Sequence, residues 1–170
     1  LPARVKLQYV LLDPEKMADP SAISEEALSA AYETRKAQFA DPEKVHARHI
    51  LIRVGEGAPE AEVKKAEKSA GDIAAKIRGG EDFIEAAKKY GQDPSAAQGG
   101  DLGFFTREQM VKPFADAAFS LAAGELSAPV RTQFGFHLIK VEEKQAAKQR
   151  TLDEVKDELR AALAVEAATE

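Results

Sequence analysis

The β-strand patterns of this 170-residue chain are few, and their uneven spacing constrains the fold more than any other feature. Alternating β-branched and aromatic residues predict strands over 5–12 and 45–54 and a β-hairpin over 129–143. Helical periodicity fills the long interval before the hairpin, at 60–78, 81–90 and 113–122. This order lacks the regular βα alternation of a doubly wound fold. We therefore predict an α+β fold in which a small, mainly antiparallel sheet is covered by helices.

An amphipathic helix is predicted on each side of the central segment. Ser24 is placed to cap the first helix, and Thr151 with Glu154 three residues later forms a capping box for the second. The apolar stripes of the two helices consist of Leu28, Tyr32 and Phe39, and of Val155, Leu159 and Leu163. Each stripe needs an apolar partner, so we expect residues 1–44 and 145–170 to pack on each other. The packing could occur within one chain or between two, which leaves a homodimer through the flanks open.

Composition excludes several classes of function. The chain has no cysteine, which rules out disulfides, thiolate nucleophiles and thiolate-bound metal. Its 24 basic and 29 acidic residues give a net charge of −5 without a basic segment, so nucleic-acid binding is not expected. The sequence has no apolar run of the ~20 residues that a membrane span needs, and no signal peptide. Because the first residue is Leu1 and not Met, we expect a piece of a longer protein whose anchor or export signal lies outside it.

Histidines are the candidate functional residues that the spacing of the sequence offers. His46 and His49 are three apart in a predicted strand, so their side chains point to opposite faces and a shared metal is not expected. His49 alternates with Leu51, and His137 stands between apolar neighbours in the second hairpin strand. Two such histidines indicate either separate hydrogen-bonded core residues or one shared polar centre, and the spacing leaves both interpretations open. The glycines at 99–103 lack the lysine of a phosphate-binding loop and predict a tight turn.

Longer strings in the central segment resemble a known family. The strand HARHILI (46–52) resembles the first strand of the parvulin-type peptidyl-prolyl cis–trans isomerases. Later motifs of that family are matched, in the family's order, by GDLGFF (100–105), MVKPF (110–114), AF (118–119), GELS (124–127) and GFHLI (135–139). The resemblance covers about residues 45–144. It implies a parvulin-like fold with isomerase activity on X–Pro bonds and no metal or cofactor.

The flanks carry a second resemblance. The strings SEEALSAAY (24–32) and TLDEVKDEL (151–159) are similar to the helical chaperone module of exported bacterial folding factors, the PpiD, SurA and PrsA families, and most of all PpiD. The resemblance implies that the strand and helix of 1–44 and the helix of 145–170 belong to such a module. The full-length protein would then be periplasmic and anchored in the inner membrane by a segment outside this chain. Its partners would be unfolded or newly exported polypeptides.

Carried over residue by residue, the resemblance implies a catalytic set and a substrate-binding set. His49, Asp93 and His137 form the catalytic set, in which the two histidines hold each other and their neighbours in a polar network more than they exchange protons. The substrate-binding set consists of Leu102, Met110, Phe114, Thr132 and Phe134. The first three of these residues would line a proline pocket, with Phe114 as a partly exposed wall. Thr132 would join the polar network.

Two positions depart from the pattern of some parvulins. Asp93 stands where those members have a cysteine, which argues against covalent catalysis. Its carboxylate could raise electron density near the twisting carbonyl, although Asp93-Pro94 could equally form a turn. Phe134 lies in a turn where some relatives have a small polar residue, which predicts a narrower site.

The loop after the strand at 45–54 indicates the class of substrate. Parvulins directed to phosphorylated substrates carry a basic cluster there, whereas this loop carries Glu56, Glu60 and Glu62 and no basic residue. We therefore expect unmodified proline-containing segments as clients.

Two other functions fit the same residues. The first is a non-catalytic peptide-binding chaperone domain with the parvulin fold, because a pocket that isomerises proline also binds it. The second is a purely structural oligomerisation module, which rests only on the amphipathic flanking helices. A protease-coupled assay on short X–Pro peptides distinguishes the first alternative from an isomerase.

Overall fold

The computed structural model describes residues 14–169 of the chain. Its α-helices are α1 (Pro14–Met17), α2 (Glu25–Arg35), α3 (Glu60–Arg78), α4 (Phe83–Tyr90), α5 (Lys112–Ser120) and α6 (Leu152–Ala167). Its strands are β1 (Ala40–Asp41), β2 (Lys44–Arg53), β3 (Asp101–Phe105), β4 (Val130–Thr132), β5 (Gly135–Gln145) and β6 (Lys148–Gln149). Short 3₁₀ helices lie at Pro20–Ala22, Lys36–Phe39, Pro94–Gln98 and Arg107–Gln109. The strand predicted at 5–12 lies outside the described residues.

The central sheet confirms the predicted antiparallel arrangement. Its four strands follow the order β3-β2-β5-β4, and every neighbouring pair is antiparallel. The longest pairing joins β2 to β5 and places His49 opposite Ile139 and Leu51 opposite His137. Because side chains alternate between the faces of a strand, His49, Leu51 and His137 share one face of the sheet.

Strand β3 begins within the segment 99–103, for which the sequence predicts a tight turn. It begins at Asp101, which pairs with Arg48 of β2, while Phe104 pairs with His46. A shift of register between His46 and Arg48 makes both pairings possible. The glycines and the aspartate at its start suggested a loop, and pairing with β2 overrides that local preference.

Helices cover both faces of the sheet. On one face, Ile50, Ile52 and Leu138 pack with buried residues of α3 and α4. The helical periodicity predicted over 60–78 is confirmed, because α3 buries Ala66, Ala70 and Ile73 and partly buries Val63 and Ile77 on one side. On the other face, α5 packs against β2, β3 and β5 in a cluster formed by Val45, Ala47, Phe105, Phe114, Ala118, Phe119, Ile139 and Val141. Both layers of apolar packing meet at the β2–β5 pair.

The chain divides into two compact units. The central unit consists of Pro42–Ala147 and contains the four-stranded sheet. The flanking unit consists of the residues up to Asp41 and those from Lys148 onward, and contains α2 and α6. Within residues 14–169, no helix combines the length and apolar character that crossing a membrane requires.

The flanking unit has its own core, as the apolar stripes of its helices predict. The core consists of Leu28, Tyr32, Phe39, Val155 and Leu159, so the flanking segments pack on each other within one chain. The Tyr32 hydroxyl donates to the Arg150 carbonyl at 2.7 Å, and β1 pairs with β6. Both helix starts are as predicted, since Ser24 accepts from Ala27 N–H and the Thr151 capping box is present.

A glycine brings the loop before β3 into close contact with β2. Gly100 has a φ of +74°, its carbonyl accepts from His49 N–H at 2.9 Å, and its N–H donates to the Ser95 carbonyl at 2.9 Å. A Cβ atom at this position would lie 2.0 Å from the His49 carbonyl oxygen. Gly103 has a similar φ of +65°, but a Cβ atom there would meet nothing within 4 Å. The two glycines therefore share a backbone conformation and differ in the space around them.

We expect Gly103→Ala to lower the free energy of unfolding by about 1 kcal/mol, the cost of a left-handed residue that is not glycine. Gly100→Ala should cost several times more, because its Cβ must displace the β2 backbone at His49. Urea unfolding followed by circular dichroism measures both losses. Equal losses for the two variants would contradict the close approach at Gly100.

Candidate functional site

A cavity of about 410 Å³ lies on the face of the sheet that carries His49 and His137. Its lining consists of His49, Leu51, Asp93, Leu102, Gln109, Met110, Val111, Phe114, Phe134 and His137. Every residue predicted for the site except Thr132 lines this cavity, and Thr132 is bonded to His137 from behind. The sequence-based set omitted Leu51, Gln109 and Val111, although each is adjacent to a predicted site residue or alternates with one in a strand.

The two histidines meet across neighbouring strands. In the β2–β5 register, His137 lies opposite Leu51, two residues along β2 from His49 and on the same face of the sheet. The Nδ1 atoms of the two histidines are 3.0 Å apart. Their rings stack with centroids 5.3 Å apart and an interplanar angle of 21°. Both side chains are buried. Of the two interpretations that the sequence left open, the structure therefore supports one shared polar centre.

Asp93 joins this centre from the start of a 3₁₀ helix. It is the N-cap of Pro94–Gln98, and its Oδ2 accepts from Ser95 N–H at 3.1 Å and from the Ser95 hydroxyl at 2.7 Å. The same Oδ2 lies 3.1 Å from His49 Nε2. Its Oδ1 is buried and has no hydrogen-bond partner in the part of the chain that the structure describes. Asp93 therefore forms the predicted turn and also lines the cavity, while its catalytic role stays a prediction.

Ser95 is a member of the site that the sequence analysis missed. Its hydroxyl lies 3.1 Å from His49 Nε2 and donates to Asp93. The signal was present in the sequence, because an aspartate two residues before a serine favours a cap in which the two side chains bond. Without the fold, nothing placed that cap next to a histidine.

Burial governs the charge states of this centre. It lowers the pKa of His137 to about 4, assisted by the charge of His49 and opposed by that of Asp93. Burial also acts to raise the pKa of the Asp93 carboxyl, but hydrogen bonds from Ser95 and the charge of His49 outweigh it, and the net pKa lies below its ordinary value. At neutral pH His137 is therefore neutral and Asp93 is ionised.

In the state in which both imidazoles are neutral, one arrangement of protons fits these hydrogen bonds. An ionised Asp93 only accepts, so His49 carries its proton on Nε2 and accepts at Nδ1. His137 must then carry its proton on Nδ1, which leaves its Nε2 to accept from the Thr132 hydroxyl at 2.7 Å. The Thr132 oxygen in turn accepts from Phe134 N–H at 3.2 Å. The hydrogen bonds form a directed chain that ends at the Asp93 carboxylate.

Apolar side chains form the wall opposite the histidines. The Phe114 ring is nearly perpendicular to both imidazole rings, at centroid distances of 5.8 Å to His49 and 5.2 Å to His137. The expectation of a partly exposed Phe114 is wrong, because only 3% of this residue is exposed and it belongs to the α5 core. Truncation to alanine would therefore carry the ~3–5 kcal/mol cost of a core phenylalanine. Leu102 and Met110 are partly buried, and Phe134 is 51% exposed at the rim.

The remaining histidine stands apart from the cavity. His46 Nε2 lies 2.8 Å from Asp101 Oδ1, and Asp101 also pairs with Arg48. His46 and His49 thus have different partners, in keeping with their predicted opposite directions. Within residues 14–169, no group of three or more histidine or carboxylate side chains is placed to hold a metal ion.

Comparison with known sequences finds similarity to one family along most of the chain. Residues 27–145 match the family described as the PPIC-type PPIase domain. A foldase protein PrsA of Geobacillus kaustophilus is 39% identical over 157 residues, which are 92% of this chain and 49% of the relative. A chaperone SurA of Burkholderia lata is 38% identical over 141 residues, which are 82% of this chain and 30% of the relative.

A solved structure extends the similarity to the fold. It comes from work on PEB4 and the periplasmic protein Cj1289, described as SurA-like chaperones of Campylobacter jejuni, and matches with a TM-score of 0.73 and 36% identity. The match covers 92% of this chain and 59% of that one. The chain thus spans half or less of the length of these two curated relatives. A specific resemblance to PpiD stays a prediction.

The lowered pKa of His137 predicts a pH dependence of stability. An ordinary imidazole titrates near pH 6.5, so the unfolded chain binds a proton between pH 6.5 and 4 that the folded chain does not. The contribution of His137 to the free energy of unfolding should be complete above pH 6.5. It should fall by at most about 1.4 kcal/mol per pH unit as the pH decreases to 4.

Urea unfolding of the wild type and of His137→Gln over this pH range isolates the contribution of His137. The variant should lose less stability than the wild type between pH 6.5 and 4. Identical slopes for the wild type and His137→Gln would refute the assignment.

Proposed function

The chain belongs to the PPIC-type peptidyl-prolyl isomerase family, the parvulins, and we propose that its cavity isomerises X–Pro bonds in client polypeptides. The observation that carries the proposal is that one cavity combines an apolar wall with a floor of polar side chains that are hydrogen-bonded within the protein. Leu102, Met110 and Phe114 offer a slot of suitable character for a proline ring. The floor consists of the His49–His137 pair, whose ring nitrogens are all engaged within the protein.

The reaction requires no nucleophile, because it only rotates a bond. The barrier of ~18–20 kcal/mol arises from the loss of amide resonance in the twisted state. A site lowers this barrier when it removes water from the carbonyl and favours the twisted geometry electrostatically. The Leu102, Met110 and Phe114 wall would supply the dry environment.

Asp93 is the residue that we assign to the electrostatic part of the mechanism. Resonance places partial negative charge on the carbonyl oxygen of the planar X–Pro bond, and twisting removes part of it. A carboxylate near that oxygen disfavours the planar form more than the twisted form, which lowers the barrier. The lowered pKa of Asp93 keeps the required charge at neutral pH.

We assign His49 and His137 the task of holding Asp93 and the floor of the site in place. Each ring nitrogen already has a partner in the protein, so none is available for proton exchange with a client. Thr132 completes the chain behind His137. Because the wall and the floor of the cavity contain no cysteine, we also infer that catalysis is non-covalent.

The clients are inferred to be unmodified, proline-containing segments of unfolded or exported proteins. Glu56 lies in the loop between β2 and α3, and Glu60 and Glu62 lie in the first turn of α3. All three are exposed and would repel a phosphate group before the proline. The relatives are named foldase and chaperone, which supports a place in assisted protein folding.

The organisation and location of the whole protein are also proposals. We assign isomerase activity to residues 45–144 and client holding to the flanks 1–44 and 145–170, as parts of a chaperone module. The description of one relative as periplasmic supports export to the periplasm. Anchoring in the inner membrane and a homodimer through the flanks stay predictions. A non-catalytic peptide-binding domain would use the same cavity, and an isomerase assay separates the two functions.

The two methionines of the chain provide a matched test of the slot. Met110→Ala should lower kcat/KM on short X–Pro peptides about tenfold, because it removes apolar contact with the proline ring. Met110 is only partly buried, so the stability loss should stay below the ~2–5 kcal/mol of a buried methionine. Met17→Ala, at an exposed position of the flanking unit, should leave kcat/KM unchanged. A protease-coupled assay measures both, and equal activities would refute the slot.

The division of labour between the units predicts different behaviour in two assays. The fragment 42–147 should fold and match the whole chain in isomerase activity on short peptides, since it contains the cavity and its core. It should suppress aggregation of an unfolded client less well than the whole chain. Light scattering of a chemically unfolded client measures the suppression. Equal suppression would place client holding in the central unit instead of the flanks.

A further inference from the structure

Gln109 is a polar side chain of the cavity lining that takes no part in the hydrogen bonds of His49, His137 and Asp93. It lines the cavity beside Met110. Its Oε1 accepts from Thr106 N–H at 2.8 Å, in the capping box that begins Arg107–Gln109. This bond fixes which end of the carboxamide faces the backbone. The NH₂ group is the end left without a partner among the residues that the structure describes.

The other polar groups of the lining have no donor to offer. Both nitrogens of His49 are engaged, with His137 and with Asp93. The second nitrogen of His137 is bonded to Thr132. Asp93 is ionised and only accepts. Among the described side chains that line the cavity, Gln109 therefore holds the unused N–H donors.

A bound X–Pro segment presents acceptors near its ring. The proline nitrogen carries no hydrogen, and the two nearest polar groups are the carbonyl of X and the carbonyl of the proline itself. A donor on the X carbonyl would favour the planar resonance form of the bond that must twist, and would slow isomerisation. The proline carbonyl lies outside that amide, so a donor can hold it without raising the barrier.

We propose that the Gln109 carboxamide donates to the carbonyl of the client's proline and so holds the segment on the C-terminal side of the rotating bond. The inference rests on the proposed function, because it names a contact within the same cavity. The capping bond to Thr106 already orders the side chain, so binding costs little rotamer entropy. Gln109 is thereby a substrate-binding residue that selects for the peptide backbone and not for a client side chain.

The test uses two ligands that differ at the proline carbonyl. Acetyl-Ala-Ala-Pro-methylamide has this carbonyl, and acetyl-Ala-Ala-pyrrolidide keeps the ring and the bond to X but lacks it. Dissociation constants are measured on the whole chain by NMR chemical-shift titration. A neutral hydrogen bond predicts that the wild type binds the first ligand about three- to tenfold more tightly.

Two variants remove the donor in different ways. Gln109→Glu keeps an acceptor for Thr106 N–H, as the preferred residue of a capping box, but has no NH₂ group. Gln109→Met removes donor and acceptor without adding charge. The control is Glu154→Gln, the reverse exchange at the same position of the Thr151 capping box in the flanking unit. Thermal unfolding of each variant reports the effect on the fold separately.

Both Gln109 variants should lose the preference for the first ligand and lose kcat/KM on X–Pro peptides by a similar factor, while Glu154→Gln behaves as the wild type. If the wild type isomerises X–Pro peptides but shows no preference, or if Gln109→Glu keeps the preference, the Gln109 contact is refuted and the isomerase function stands. If the wild type neither binds nor isomerises these peptides, the proposed function fails together with the contact.

Discussion

The contact between His49 and His137 is the interaction on which the geometry of the site depends. Two imidazole nitrogens 3.0 Å apart hold one hydrogen between them, so the bond has a direction and each outer nitrogen needs a complementary partner. Asp93 accepts at one end, and the Thr132 hydroxyl completes the other. Because both rings are buried, an unsatisfied nitrogen would carry a large desolvation cost. The pair therefore limits which side chains can lie next to it, and its ring nitrogens are all engaged within the protein.

The position of Asp93 in turn depends on how its short helix is fixed to β2. The helix Pro94–Gln98 is capped by Asp93 at its start, and at its end the Arg48 guanidinium donates to the carbonyls of Gln98 and Gly99. The backbone of Gly100 then bonds to His49 N–H. Two adjacent residues of β2 thus contact the two ends of this short helix. Arg48 bonds to the carbonyls at its C-terminal end, and the His49 side chain bonds to Asp93, its N-cap. These bonds explain how a segment without long regular structure holds Asp93 in a fixed position beside β2.

Local patterns predicted the helices and the antiparallel hairpin, but not the contacts that assemble the site. The capping boxes at Thr106 and Thr151 and the stripe of α3 are set by neighbours in sequence, so they are visible without the fold. The histidine pair required the register between β2 and β5, which strand patterns do not specify. The resemblance to parvulins supplied the set that the structure brings to one cavity. It did not supply Ser95 or Gln109. Ser95 belongs to the site because it contacts His49, which is distant in sequence. Gln109 is oriented by its bond to the backbone N–H of Thr106.

The burial of Phe114 links the core to the cavity. The side chain that packs α5 onto the sheet also contacts both imidazoles, with its ring nearly perpendicular to theirs. A substitution at Phe114 therefore changes the core and the cavity together. A site built from core residues keeps its shape because the core is close-packed and resists local rearrangement. The rim is different, since Gln109 and Phe134 are exposed and Met110 is only partly buried. Substitutions there should change the rim of the cavity at little cost in stability, whereas substitutions at Phe114 or the histidine pair disturb buried packing as well.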